Sequence, residues 1–224
     1  MKKVLLIAFA VSVLGVTALH AAPILGPPVG QCAAASGVSG SAGDLIIPYS
    51  TWTTANFACE QQDKIYSNFS AGASPNSTTL RIQVQPLGAF DLHTVTFNGN
   101  FLTDFTVSYD VAVDLTLAPF ATIIAVTGDI SNPSGVGAPS NTKTVRTESG
   151  VTVGSLVSTA GSPGGTIVTS ATALHAVDVY VANGGAVVSI SNTFREQLAP
   201  EPFSFALMGS GIGLILLSRR IRRA

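Results

Sequence analysis

The chain has 224 residues, 46% of them hydrophobic and only 10% charged, with a formal net charge of −1 at pH 7. Between residues 23 and 199 five basic residues, Lys64, Arg81, Lys143, Arg146 and Arg195, stand against eleven acids from Asp44 to Glu196. That balance lacks the clustered positive charge that phosphate binding needs, so nucleic acid is not an expected partner, and the middle portion has the length of one domain.

Met1, Lys2 and Lys3 open the chain with positive charge, and residues 4–16 follow as an apolar run broken only by Ser12 and Gly15. This is the pattern of a secretory signal peptide. Thr17-Ala18-Leu19-His20-Ala21-Ala22 offers small residues for cleavage after Ala21 or Ala22, so residues 1–22 read as the signal, with the Sec translocon and signal peptidase as partners. Cys32 and Cys59 are the only cysteines and both fall in the exported part. An even pair in an oxidising compartment is most simply a disulfide, contributing about 3 kcal/mol through loop closure. The alternative, a cysteine nucleophile or metal ligand, would need a histidine partner.

Residues 33–43, rich in Gly and Ala, read as an irregular loop, and a weak helical signal covers residues 52–62. Tyr49, Trp52, Phe57 and Tyr66 gather around Cys59. A core patch packed on the disulfide is the favoured reading over an exposed platform that stacks on sugar rings. Leu80, Ile82 and Val84 alternate with Arg81, Gln83 and Gln85 as a half-buried strand, which Pro86 ends. Val95 and Phe97 repeat the alternation before Asn98-Gly99-Asn100, a turn signal that predicts a hairpin into the next strand. That strand, residues 104–116, is the clearest: Phe105, Val107, Tyr109, Val111, Val113 and Leu115 share one parity.

Residues 121–127 are apolar on both parities, as in a strand covered on two sides, and residues 128–141 read as a long loop of Gly, Ser, Pro and Asn. Shorter strand patterns occupy residues 144–148, 151–157 and 166–172. Residues 177–181 and 187–191, joined by Asn183-Gly184-Gly185, predict a last hairpin. Many short strands with Gly and Asn turns at this spacing imply an all-β domain, a single β-sandwich or jelly-roll-like fold. No fixed repeat period points to a solenoid.

Catalytic readings are limited by histidine, since His20 leaves with the signal and His93 and His175 remain. Each reads as a hydrogen-bonded or solvated strand residue. A Ser-His-Asp constellation can be assembled only on paper, and neither a G-x-S-x-G elbow nor a phosphate-binding G-x-x-x-x-G-K-[ST] loop occurs. Asp104, Asp110 and Asp114 share a strand face and bring calcium to mind, but Asp110 and Asp114 stand about 13 Å apart in an extended chain. No metal, cofactor or catalytic residue is therefore expected.

The C-terminus is more specific. Pro200-Glu201-Pro202 precedes the uncharged residues 203–218, and Arg219, Arg220, Arg222 and Arg223 close the chain. Physically this is a short membrane span anchored by cytoplasmic arginines. The three elements in this order resemble the PEP-CTERM sorting signal, over about the last 25 residues. The resemblance implies retention at the inner membrane and processing by an exosortase. Pro200, Glu201 and Pro202 would be recognised, and the four arginines would retain the chain. The segment from Phe57 through Cys59, Asp63-Lys64, Tyr66 and Asn68-Phe69 is also similar to a group of uncharacterised PEP-CTERM cargo proteins, and implies a disulfide and a β-rich fold. An ordinary tail anchor behind a proline linker is the alternative.

The expected organisation is thus a signal peptide (1–22), a β-sandwich ectodomain (23–195), a linker with the Pro-Glu-Pro motif (196–202), a transmembrane helix (203–218) and a basic tail (219–224). The function expected is that of a non-enzymatic cell-surface or matrix protein, with its ectodomain first in the periplasm and later at the cell surface or outside. Its Ser- and Thr-rich sheet face would suit hydrated exopolysaccharide. The alternatives are a secreted hydrolase, or a carbohydrate- or ice-binding module, which would need a flat exposed threonine array or an aromatic platform; neither is evident along the chain, where T-x-T occurs only in scattered pairs such as Thr94-Thr96.

Overall fold

The computed structural model describes residues 29–72, 77–131, 134–135, 137–159 and 162–198. The expected signal peptide, Pro200, Glu201 and Pro202, the apolar run 203–218, and Arg219, Arg220, Arg222 and Arg223 lie outside the described residues. Among the described residues no helix is long and apolar enough to cross a membrane.

The described chain is all-β. A 3-10 turn at Cys32–Ala34 leads into β1 (Ser39–Ser41) and β2 (Asp44–Pro48), and then into a single helical turn, α1 (Tyr49–Trp52). Four strands follow: β3 (Cys59–Gln61), β4 (Lys64–Ala71), β5 (Thr79–Pro86) and β6 (Phe90–Phe101). Next come β7 (Phe105–Val113), β8 (Thr122–Ser131), β9 (Ser134–Gly135) and β10 (Ser140–Thr147). The last are β11 (Thr152–Thr159), β12 (Thr166–Ala171), β13 (Ala173–Val181) and β14 (Gly185–Gln197).

Two antiparallel sheets face each other. One runs β1-β2-β5-β6-β14-β8-β12, with β9 attached to β14, and the other runs β11-β10-β13-β7-β4-β3. Alternation places one parity of each strand between the sheets. Phe105, Val107, Tyr109, Val111 and Val113 of β7 point inward, as their parity predicts, and meet Leu80, Ile82, Val95, Phe97 and Phe194 in one core cluster.

Both predicted hairpins are corrected. β6 continues through Asn98-Gly99-Asn100 to Phe101 and pairs with β5 and β14, whereas β7 pairs with β4 and β13 in the other sheet. The chain changes sheets between Phe101 and Phe105. Asn183 and Gly184 do turn, with φ of 50° and 77°, but they carry the chain from β13 in one sheet to β14 in the other. A turn signal reports a reversal of direction. Whether the returning strand pairs with its predecessor or crosses to the facing layer depends on which neighbours complete the sheets.

Two other expectations change. Residues 128–141 are not one loop, because β8 extends to Ser131 and β9 and the start of β10 lie within them. Helical structure near Trp52 amounts to one turn, and Cys59–Gln61 is strand, since the disulfide and the pairing of β3 with β4 hold this segment extended.

Candidate functional site

Cys32 and Cys59 form the expected disulfide, with Cα atoms 4.6 Å apart and both residues buried. The Glu60 N–H donates to the Gly30 carbonyl at 3.0 Å, and Gln31 Nε2 donates to Glu60 at the same distance. The bond thus fastens the segment before β1 to β3. The aromatic group around it is core. Trp52 is fully buried and meets Tyr49, Phe97 and Phe69 edge-on at 5.2, 5.6 and 6.1 Å, and Phe69 stacks on Tyr109.

The interior also holds two ionic groups that strand parity places there. β14 presents Ile190, Asn192, Phe194 and Glu196 to the core. Phe194, edge-on to Tyr109 at 6.2 Å, separates the polar stations on either side of it.

At the Glu196 station, Lys64 of β4 reaches across from the opposite sheet to place Nζ 2.5 Å from Glu196 and 3.0 Å from Asp63. His93 of β6 lies with Nε2 3.4 Å from Glu196 and 3.6 Å from Asp63, and its Nδ1 is 3.3 Å from the Tyr66 hydroxyl. Such an arrangement suits a His93 protonated on Nε2 and accepting the Tyr66 O–H on Nδ1. Burial works to raise the Glu196 pKa, but His93 and Lys64 outweigh it and hold the carboxyl below the usual range. Burial, aided by the charges of Asp63 and Glu196, pushes the Tyr66 hydroxyl far up, so it stays neutral. Ligand atoms of Asp63, His93 and Glu196 lie within 4.8 Å of one another, a donor set that could hold a divalent cation. The Lys64 ammonium sits among the same carboxylates, so the chain supplies its own cation there.

At the second station, Asp178 of β13 gathers three donors. Its Oδ1 accepts from Asn141 Nδ2 at 2.7 Å, and its Oδ2 accepts from Asn192 Nδ2 at 2.6 Å and Lys143 Nζ at 3.0 Å. All four side chains are fully buried. Lys143 also lies 5.9 Å from the centre of the Tyr109 ring.

The remaining candidates do not converge. His175 Nδ1 is 2.5 Å from Asp110, which also accepts from Asn68 at 2.6 Å, on the half-exposed outer side of the β4, β7 and β13 layer. Asp104 accepts the Ala182 N–H, and Asp114 accepts from Thr116 in the turn after β7. Asp104, Asp110 and Asp114 each serve a separate local structure.

The outer face of the larger sheet carries a feature that linear sequence conceals. Register aligns Asp44, Gln83, Thr94, Thr193, Thr127 and Thr166 in one row across β2, β5, β6, β14, β8 and β12. The neighbouring row is Arg81, Thr96, Ser191 and Asp129, and the next pairs Ser189 with Ser131. Thr94 bonds Thr193 at 3.0 Å, Thr96 bonds Ser191 at 3.2 Å, and the Ser131 and Ser189 hydroxyls pair. The threonines follow one another about 4.8 Å apart along the row. Along the chain only short alternations such as Thr94-Thr96 and Ser189-Ser191-Thr193 hint at it. Compared with known proteins, the chain matches no family model and no curated protein.

Proposed function

We propose that this chain is a non-enzymatic, exported protein of the cell surface or extracellular matrix, and that it meets hydrated exopolysaccharide through the hydroxyl face of its larger sheet. The threonine row from Thr94 to Thr166 carries the reading. A run of uncharged donors and acceptors at strand spacing offers repeated hydrogen bonds, direct or through water, to the hydroxyls of a polysaccharide. The Cys32–Cys59 bond supports export, because such bonds persist in oxidising compartments. Residues 1–22 act as the signal peptide, 203–218 as a membrane helix, and Pro200-Glu201-Pro202 as the exosortase recognition motif of a PEP-CTERM tail.

Binding is tested by cosedimentation of the protein with exopolysaccharide isolated from its own host. Thr94→Val with Thr193→Val removes two hydroxyls from the row while keeping side-chain shape. Retention should fall roughly tenfold if each contributes an ordinary hydrogen bond. Equal retention of the double variant would remove this face from the account.

A further inference from the structure

Lys143, Asp178 and Asn192 meet as an amine, an acid and a carboxamide in a dry interior. Lys143 Nζ and Asn192 Nδ2 share one oxygen of Asp178, at 3.0 and 2.6 Å, and all three side chains are fully buried. The nucleophile, the proton carrier and the leaving group are therefore held together by one carboxyl. We infer that Lys143 and Asn192 condense spontaneously after folding to an intramolecular amide, a covalent cross-link between β10 of one sheet and β14 of the other.

The step begins with transfer of a proton from the Lys143 ammonium to Asp178, which leaves a neutral amine beside a carboxylic acid. Burial favours the neutral amine and lowers the Lys143 pKa, although Asp178 opposes it. The Nζ lone pair attacks Asn192 Cγ and forms the new C–N bond. Asp178 gives its proton to Nδ2 and takes one from Nζ, the Cγ–Nδ2 bond breaks, and ammonia leaves. Atoms and charge balance without oxidant, metal or cofactor. Proximity is the source of the rate, since Asp178 holds both reacting groups within hydrogen-bond reach of one oxygen and all three side chains are fully buried.

The surroundings fit the reaction. Asn192 Oδ1 is buried and has no hydrogen-bond partner among the described residues. That oxygen, on which negative charge gathers during attack, is not tied to another donor in the ground state. Gly128 lies between the partners, where an added Cβ would stand 3.2 Å from Lys143 Cε and 3.6 Å from Asn192 Oδ1. Lys64 provides the contrast. It meets the carboxylates of Asp63 and Glu196, which offer no ammonia to release, and stays an ion pair.

The full chain, reduced and denatured, is digested with trypsin and the peptides are weighed. An amide at Lys143 blocks cleavage there, so residues 82–146 should appear joined to residues 147–195, lighter by one ammonia, while cleavage after Lys64 proceeds. Asn192→Ala and Asp178→Ala should restore cleavage after Lys143 and separate the two peptides. Free peptides 82–143 and 147–195 of unmodified mass from the native chain would overturn the inference, whether or not the variants fold. Joined peptides lighter by one water would place the bond on Asp178 and overturn the assignment to Asn192.

Discussion

Replacing Lys64 by Met tests whether the Glu196 station is held by its internal cation. Met preserves length and much of the volume, so the change is mainly electrostatic. Glu196 is fully buried and would keep only His93 against its charge, while Asp63, 14% exposed, can turn to water. Removing one partner of a buried pair costs about 3–5 kcal/mol, because the other charge is left uncompensated. Glu196→Gln should cost less, about 1–3 kcal/mol, since Lys64 keeps Asp63 at 3.0 Å. The double change Lys64→Met with Glu196→Leu should recover at least about 2 kcal/mol of the single loss. Urea unfolding followed by Trp52 fluorescence measures all three, as Trp52 is the only tryptophan and is fully buried. A loss under about 1 kcal/mol for Lys64→Met, or a double variant no more stable than Lys64→Met alone, would refute the reasoning.

Other outcomes follow from the same geometry. Removing the disulfide with Cys32→Ser and Cys59→Ser should lower stability by about 3 kcal/mol in the same assay, with Trp52 still buried at low urea. Breaking the Arg81–Asp44 pair with Arg81→Ala should cost under about 1 kcal/mol, because both side chains are well exposed. The Tyr66 and Tyr109 hydroxyls are raised by burial, so the folded state keeps protons that the unfolded state loses. Stability should therefore fall as pH rises above about 10, and Tyr66→Phe should soften the fall. Glu196 is lowered, so its contribution is present above the ordinary glutamate range and is lost as pH falls toward its folded value. Thermal melts in acid should show that loss weakened in Glu196→Gln, with Glu60 and Asp91, both raised by burial, acting in the opposite sense.

Strand parity made the core of β5 and β7 legible, because their apolar residues alternate with Arg81, Gln83, Gln85, Asp110 and other polar residues. It misleads at β13. There the valines suggest the inner face, yet Val179 is 41% exposed and Ala176, Asp178 and Tyr180 are buried. The stronger clue was Leu174, which shares their parity. Lys143 likewise shares the inward parity of Val145 and Asn141. Charged residues on a buried parity are read as solvated until their partners are known, and those partners lie on strands distant in sequence. The same limit hid the threonine row, whose spacing exists only across strands, and turned two turn signals into hairpins. The disulfide was legible because two cysteines allow one pairing.

The central claim is export followed by tail-directed sorting, and the intact mass and cell fraction of the protein in its own host test it most directly. The native chain should lack both residues 1–22 and the C-terminal apolar run and be found at the surface or outside the cell. Changing Pro200, Glu201 and Pro202 to alanine should leave the run attached and the protein in the inner membrane. A native chain that keeps residues 203–224 whether or not the tripeptide is intact would contradict exosortase sorting and leave a simple tail anchor.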